Sequence, residues 1–209
     1  MNRRAALVLA LLGALALWAW RAELFTVSQP GTRPRALTLI AADTRRPVAL
    51  DVTLPQVPVG MRRVTVGGRP LLIHYWAMWE KDGAAQAAGL DSLRQLPGMD
   101  AIDVVMVCFD PFPSVARYVG KHRLRLNVLL DGPGEMRTTL KCPSVPYTYC
   151  IDRAGRIGIA QAGEVDWLGA ATREALQSLI DESAGADTVV ATSSAHDLPP
   201  ALGVAWPLL

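Results

Sequence analysis

Three cysteines are the side chains of this chain best suited to covalent chemistry. They are Cys108, Cys142 and Cys150, an odd number, so at least one thiol stays unpaired if the chain is exported to an oxidising compartment. Unpaired cysteines are most often buried and behave as small apolar residues. Cys108 and Cys150 fit that description, since both lie in apolar runs. Cys142 is the candidate reactive thiol, because Lys141 beside it favours a thiolate.

A second candidate site lies where an apolar run changes into a helix-forming segment. The parts in order are Leu71–Trp76, the turn residues 77–83 and Ala84–Leu96. An apolar run, a turn and a helix indicate the opening of an α/β unit. Glu80 and Asp82 in this turn favour a helix N-terminus, where acids complement the helix dipole and Asp82 serves as N-cap. A metal pair is the weaker alternative, because no His or Cys accompanies them at ligand spacing. We expect His74, in the middle of the run, to be a hydrogen-bonded core residue.

The remaining pattern predicts the elements that must hold these side chains in place. Two β-rich runs, Ala36–Ala42 and Val48–Leu54, predict a hairpin that ends at Pro55 and Pro58. Further predicted elements are a buried strand at Ala101–Phe109, a helix at Ser114–His122, a strand at 124–128, a hairpin turn at Asp152–Gly155 and a last helix at Ala170–Ser183.

Three short motifs in this order resemble the thioredoxin fold, most closely the membrane-anchored TlpA/ResA/DsbE-like proteins. They are Trp76-Ala77-Met78-Trp79 before a helix, Val145-Pro146-Tyr147-Thr148 before a strand and the hairpin sequence Ile151–Ile157. The resemblance covers residues 36–183. It implies a central mixed sheet flanked by helices, an N-terminal β-hairpin extension and a cis peptide bond between Val145 and Pro146.

The resemblance also shows what the turn lacks. In these relatives the sequence aromatic-Trp-Ala-x-Trp is followed by Cys-x-x-Cys, whereas this chain has Glu80 and Gly83 at the two cysteine positions. A carboxylate cannot attack a disulfide and glycine cannot resolve one. The turn Trp79-Glu80-Lys81-Asp82-Gly83 is therefore a degenerate active site with no catalytic residue.

A binding function does not need sulfur. The resemblance implies a groove in which an extended partner segment pairs with the backbone near the cis-proline. The residues expected to form this groove are Trp76, Trp79, Val145, Pro146 and Tyr147. The fold would also bring Cys142, four residues before Pro146, close to the degenerate turn.

The first residues predict a membrane anchor. Arg3 and Arg4 precede sixteen uncharged residues, 5–20, which Arg21 closes. A helix of that length spans roughly 24 Å, and the flanking tryptophans and arginines suit the membrane interface. We expect an uncleaved signal anchor, rather than a cleaved signal peptide, over residues 1–21. The chain would then be a single-pass protein of the bacterial inner membrane with its soluble domain in the periplasm.

The rest of the chain divides into a polar tether at residues 22–35, the domain at 36–183 and a loose, apolar tail at 184–209. Three of the 21 basic residues flank the anchor, which leaves 18 basic and 19 acidic residues elsewhere. That balance argues against a nucleic-acid partner.

Three hypotheses follow, and whether the protein is an enzyme stays open. The one we favour is a non-redox interaction or assembly factor, or an accessory subunit of an envelope complex, with another envelope protein as partner and neither cofactor nor metal. The second is a thiol–disulfide oxidoreductase of the TlpA/ResA type that works through Cys142. The third is a metal or cofactor carrier that uses the acids of the turn.

Overall fold

The structure is a computed structural model that describes the backbone of residues 33–192 and the side chains of residues 33–182. Within that part, strands form one mixed sheet: β1 (Asp51–Val57), β2 (Met61–Thr65), β3 (Leu71–Trp76), β4 (Asp103–Cys108), β5 (Asn127–Leu130), β6 (Tyr147–Ile151) and β7 (Ile157–Ala162). The α-helices are α1 (Gly83–Leu93), α2 (Phe112–His122), α3 (Glu135–Thr139) and α4 (Ala170–Thr192), and short 3-10 helices lie at Ala42–Thr44 and Met99–Ala101.

The strand order in the sheet is β2-β1-β5-β4-β3-β6-β7. The three strands β3, β4 and β5 run parallel to one another, whereas β1 and β6 run antiparallel to the strands beside them and β7 runs antiparallel to β6. The mixed α/β sheet predicted from the sequence is therefore confirmed.

Strand β3 lies between β4 and β6, and both of its faces are covered. All six of its residues are buried, as its nearly continuous apolar sequence predicts. Leu72 and Trp76 belong to the core layer that contains α1, α2 and α4. Ile73 and Tyr75 belong to the layer that contains α3 and the β1–β2 hairpin. The turn after Trp76 is thus held by a strand that is packed on both sides.

The hairpin in front of β3 does not lie where the sequence analysis places it. Residues 36–42 form no strand, and the hairpin consists of β1 and β2 around Pro58–Gly60. Pro55, expected to end a strand, lies inside β1. Gln56 donates its N–H to Gly60 on the β2 side, so the nitrogen of Pro55 faces the opposite side. There, pairing with β5 begins only at Gln56, and proline is tolerated because no ladder hydrogen bond is lost.

One edge of the sheet, which we call the site edge, gathers the loops of interest. Parallel β3 and β4 end there, the antiparallel β6 begins there, and β7 ends there. The site edge consists of residues 77–82, 109–111, 142–146 and 163–168. The Val145–Pro146 bond is cis, which confirms the expectation. A second cis bond, Val57–Pro58, was not predicted.

The predicted anchor at residues 1–21 and the tether up to residue 32 lie outside the described residues. No helix in the part of the chain that the structure describes is long and apolar enough to cross a membrane. Helix α4 continues to Thr192, past its predicted end at Ser183. The last part of the predicted tail, residues 193–209, also lies outside the described range.

Candidate functional site

The turn between β3 and α1 is fastened to the neighbouring loop by one carboxylate. Asp110, directly after β4, accepts the backbone N–H of Met78 at 2.9 Å and the thiol of Cys108 at 3.3 Å, both at Oδ2. The sequence analysis did not identify Asp110 as a site residue. Its signal is nevertheless visible, because an acid that follows a buried parallel strand must lie at the edge where the neighbouring strand also ends.

The Cβ positions of Glu80 and Gly83 are as close as those of a disulfide-bonded cysteine pair. An ideal Cβ built on Gly83 would lie 3.5 Å from the Cβ of Glu80, and disulfide-bonded cysteines have Cβ atoms about 3.5–4.5 Å apart. Gly83 is buried at the start of α1. The scaffold for a Cys-x-x-Cys turn is therefore retained, while the two side chains that would react are absent.

The side chain of Glu80 turns inward instead of facing solvent. Its Oε2 accepts the backbone N–H of Ala77 at 3.1 Å, and its Oε1 is buried without a hydrogen-bond partner among the described residues. The pKa of Glu80 is raised to about 7, mainly by burial and also by the charge of Glu164, while the hydrogen bond from Ala77 opposes the shift. A carboxylate stabilised by the helix dipole would have a lowered pKa. The environment of Glu80 is thus that of an enclosed carboxyl group, and its role as a complement to the helix dipole stays a prediction.

Asp82 is exposed and occupies the N-cap position of α1, but its side chain makes no capping hydrogen bond. Its carboxyl group contacts Glu164 instead. Burial, and then the neighbouring Asp82, raise the pKa of Glu164, while Lys81 opposes this shift. The sequence analysis did not identify Glu164, which reaches the site edge only because β7 ends there. The described residues contain no group of three or more ligating side chains arranged to hold a metal.

The two tryptophans of the Trp-Ala-x-Trp motif have opposite environments. Trp76 has 0% of its surface exposed and its ring lies 5.0 Å from that of Tyr118, so it cannot contact a partner. Its assignment to the binding groove is a mistake, because the last residue of a strand that is buried on both faces remains in the core. Trp79 is 70% exposed and is available at the site edge.

The loop before β6 contributes an open stretch of backbone. Val145, Pro146 and Tyr147 are half-buried, and Pro146 accepts the N–H of Gly163. Within the described part of the chain, no backbone hydrogen bond uses the N–H or the C=O of Val145. Neither group is therefore used by the backbone pairing of the domain itself.

Cys142 lies near the turn, as the fold resemblance implies, but in an environment that suppresses thiolate formation. It is half-buried, and its thiol donates to the carbonyl of Ser144 at 3.2 Å. The pKa of Cys142 is raised to about 11, mainly by burial and also by the charge of Glu80, while Arg137 rather than Lys141 opposes the shift. Cys108 and Cys150 are buried as predicted, and all three thiols are unpaired.

His74 is a neutral core residue with a hydrogen-bond partner at only one of its two ring nitrogens. Its Nδ1 lies 3.0 Å from Thr148 Oγ1, whereas its Nε2 is buried without a partner among the described residues. Burial lowers the pKa of His74 to about 3. The ring packs edge-on against Trp167 at 5.2 Å. The expectation of a fully hydrogen-bonded histidine is therefore correct for one ring nitrogen only.

Comparison with known proteins identifies the fold. No family model matches the chain, and no curated protein matches it. Among solved structures, a protein named as thiol:disulfide interchange protein DsbE from Chlorobium tepidum is 17% identical, with a TM-score of 0.58 over 65% of this chain and 97% of its own. A DsbF homologue from Corynebacterium diphtheriae is 18% identical, with a TM-score of 0.56 over 74% and 96%.

A third similar structure is Etrx1, an exposed lipoprotein thioredoxin from Streptococcus pneumoniae. It is 20% identical, with a TM-score of 0.53 over 63% of this chain and 98% of its own. At these identities the comparison establishes architecture and not activity. The sheet order, the cis bond before β6 and these structural matches together identify a thioredoxin-like fold.

Proposed function

We propose that this protein is a thioredoxin-like binding module without redox activity. It would serve as an interaction or assembly factor, or as an accessory subunit, of an envelope complex. One observation carries the proposal: the frame of a Cys-x-x-Cys turn is intact, with 3.5 Å between the relevant Cβ positions, yet Glu80 and Gly83 occupy it. What the turn retains is a shaped surface without a nucleophile.

The site edge has the features of a surface for an extended polypeptide. The N–H and C=O of Val145 offer the hydrogen bonds through which an added strand gains affinity, and neighbouring side chains select its sequence. Exposed Trp79 supplies the kind of large, amphipathic side chain that often dominates binding energy in protein interfaces. The partner-binding residues are then Trp79, Val145, Pro146 and Tyr147, without the buried Trp76.

The experiment for this proposal is capture of the partner. The full chain carries an aromatic photo-crosslinking amino acid in place of Trp79, so that a large ring is kept at this position. It is expressed in its native membrane and is irradiated before solubilisation. A matched control carries the same amino acid at Val59, which is 79% exposed in the β1–β2 turn, away from the site edge. A discrete envelope protein crosslinked from position 79 and not from position 59 supports the proposal. Equal patterns from both positions would contradict it.

A thiol–disulfide oxidoreductase that works through Cys142 is the second candidate. The similar structures favour it over a non-redox role, because proteins with names such as thiol:disulfide interchange protein share the fold. Against it stands the chemistry at Cys142, since a thiol whose pKa is raised to about 11 is almost entirely protonated at neutral pH and no second cysteine pairs with it. Thiol labelling of the native protein separates the two candidates.

We further propose that residues 1–21 anchor the protein in the bacterial inner membrane, so that the domain faces the periplasm. The basic and apolar layout of this segment supports the proposal, and so does the description of one similar protein as an exposed lipoprotein thioredoxin. Protease added to spheroplasts should degrade the domain without permeabilisation. Protection until the membrane is opened would contradict the proposed orientation.

A further inference from the structure

Glu80 is a half-buried carboxyl group of the site edge. Its two oxygens have unequal surroundings, since Oε2 accepts a backbone N–H and Oε1 is sealed from solvent without a hydrogen-bond partner among the described residues. An ionised carboxylate in this position would have one of its oxygens buried and uncompensated, which is costly. A neutral carboxyl group fits the same space at much lower cost.

The groups around Glu80 add no compensating positive charge. Glu164 faces it from the loop after β7 and raises its pKa. Tyr118 on α2 and Cys142 before β6 are close enough for the charge of Glu80 to raise their own pKa values. Lys81, on the same turn, lowers the pKa of Glu164. No cation opposes the raised pKa of Glu80, which only the hydrogen bond from the backbone N–H of Ala77 lowers. Proton binding is therefore the available means of neutralising this side chain.

The position of Glu80 connects its protonation to the exposed surface. It directly follows Trp79, which is 70% exposed, and its hydrogen bond to Ala77 closes the segment that contains Trp79. At the start of α1, the carbonyl of Glu80 accepts the N–H of Gly83 at 3.3 Å. Movement of the Glu80 side chain out of its enclosure must release the bond from Ala77 to its Oε2. It leaves the turn around Trp79 closed only by the backbone bond from the N–H of Glu80 to the carbonyl of Ala77, at 3.2 Å.

We propose that Glu80 is a proton-operated latch on the turn of residues 77–82. The neutral side chain stays enclosed and holds Trp79 in the observed position. The ionised side chain leaves for solvent, breaks its hydrogen bond to Ala77 and moves Trp79. The consequence for partners rests on the proposed binding function: a segment that recognises the observed surface binds more tightly below neutral pH than above it. The latch itself does not depend on a partner.

The test is a fluorine NMR titration of the full chain in detergent micelles, labelled with 5-fluorotryptophan, between pH 5 and pH 9. The protein has six tryptophans, and the W79F variant assigns the signal of Trp79. In the unaltered protein this signal should titrate with a midpoint near pH 7. In E80Q the titration should be absent, while the other five signals report that the fold is retained.

Two control variants change neighbouring side chains of the turn and of α2. His122 packs against Tyr118 with ring centroids 4.4 Å apart, and H122N should leave the Trp79 titration in place. E164Q should lower its midpoint without abolishing it. A Trp79 signal that does not titrate, or that titrates unchanged in E80Q, overturns the latch. Partner capture at pH 6 and pH 8 then tests the consequence separately, so that a failed partner assay with a normal titration contradicts only the binding function.

Discussion

The Cβ of Glu80 lies 3.5 Å from the position that a Cβ on Gly83 would occupy. These two residues carry neither a nucleophile nor a resolving thiol, yet they keep the spacing on which a dithiol turn depends. The arrangement separates the geometry of a thioredoxin-like turn from its chemistry. It also makes the alignment of the turn open to a direct chemical test.

That test is the double variant E80C/G83C. We expect it to form a disulfide between the two introduced cysteines, because their Cβ separation matches disulfide geometry. The carbonyl of Ala77, 3.3 Å from the new Cβ, needs to move by only a few tenths of an ångström. The measurement is a count of free thiols in the denatured protein after mild oxidation, with E80C/D82C as the matched control. Equal thiol loss in both variants would show that the turn does not position the pair.

The two tryptophans of the turn should respond differently to truncation. We expect W76A to lower the free energy of unfolding by about 3–5 kcal/mol, because it removes a fully buried aromatic side chain. We expect W79A to change it by less than about 0.5 kcal/mol and to abolish co-purification of the partner. Urea unfolding followed by circular dichroism measures the first effect. A strongly destabilised W79A would mean that this side chain packs on the protein instead of facing a partner.

The raised pKa of Glu80 predicts a pH dependence of stability. Because the folded state raises this pKa from 4.5 to about 7, the folded protein binds the proton more tightly than the unfolded chain does. The stabilisation is fully present below pH 4.5 and is lost as the pH rises through 7. E80Q lacks this loss, so its stability relative to the unaltered protein should increase by about 1–2 kcal/mol between pH 4.5 and pH 8, allowing for partial solvation of the carboxyl group. A difference that stays constant over this range would contradict the enclosed carboxyl group.

The environment of Cys142 predicts slow and strongly pH-dependent labelling. With a pKa of about 11, its thiolate fraction and its rate of alkylation should rise about tenfold per pH unit from pH 7 to pH 9. Free cysteine, with a pKa of about 8.5, should level off above that pH. Because Cys108 and Cys150 are buried, the C142S variant should label only after denaturation. A labelling rate that levels off near pH 7 would restore Cys142 as a reactive thiol.

The segment from β3 to α1 can be predicted because several local sequence patterns indicate the same structure there. The fully buried β3, the turn after it and the start of α1 follow from an apolar run, a small-residue helix and the tryptophan motif. The hairpin could not be located in the same way. In β1 only Leu54 and Val57 are fully buried, so its pattern is no stronger than that of residues 36–42, which form no strand.

The sequence predicts which residues of the candidate site occupy the two cysteine positions. It does not predict where the side chains of Glu80 and Trp76 point. The assignment of Glu80 and Gly83 to the two cysteine positions follows from the motif. The inward direction of the Glu80 side chain does not, because it depends on the space beside Gly83 and on the backbone N–H of Ala77 that the folded turn presents to it. Trp76 was assigned to the surface because its motif resembles a groove residue, although its position at the end of a doubly covered strand requires burial.

The central claim, that this scaffold recognises a partner without redox chemistry, is tested most directly by disulfide reductase turnover of the purified full chain. Insulin and dithiothreitol serve as substrate and reductant, and E80C/G83C serves as the positive control. We predict a rate for the unaltered protein that equals the uncatalysed background, with a clear gain in the double variant. Turnover by the unaltered protein that disappears in C142S would contradict the claim and identify a thiol enzyme.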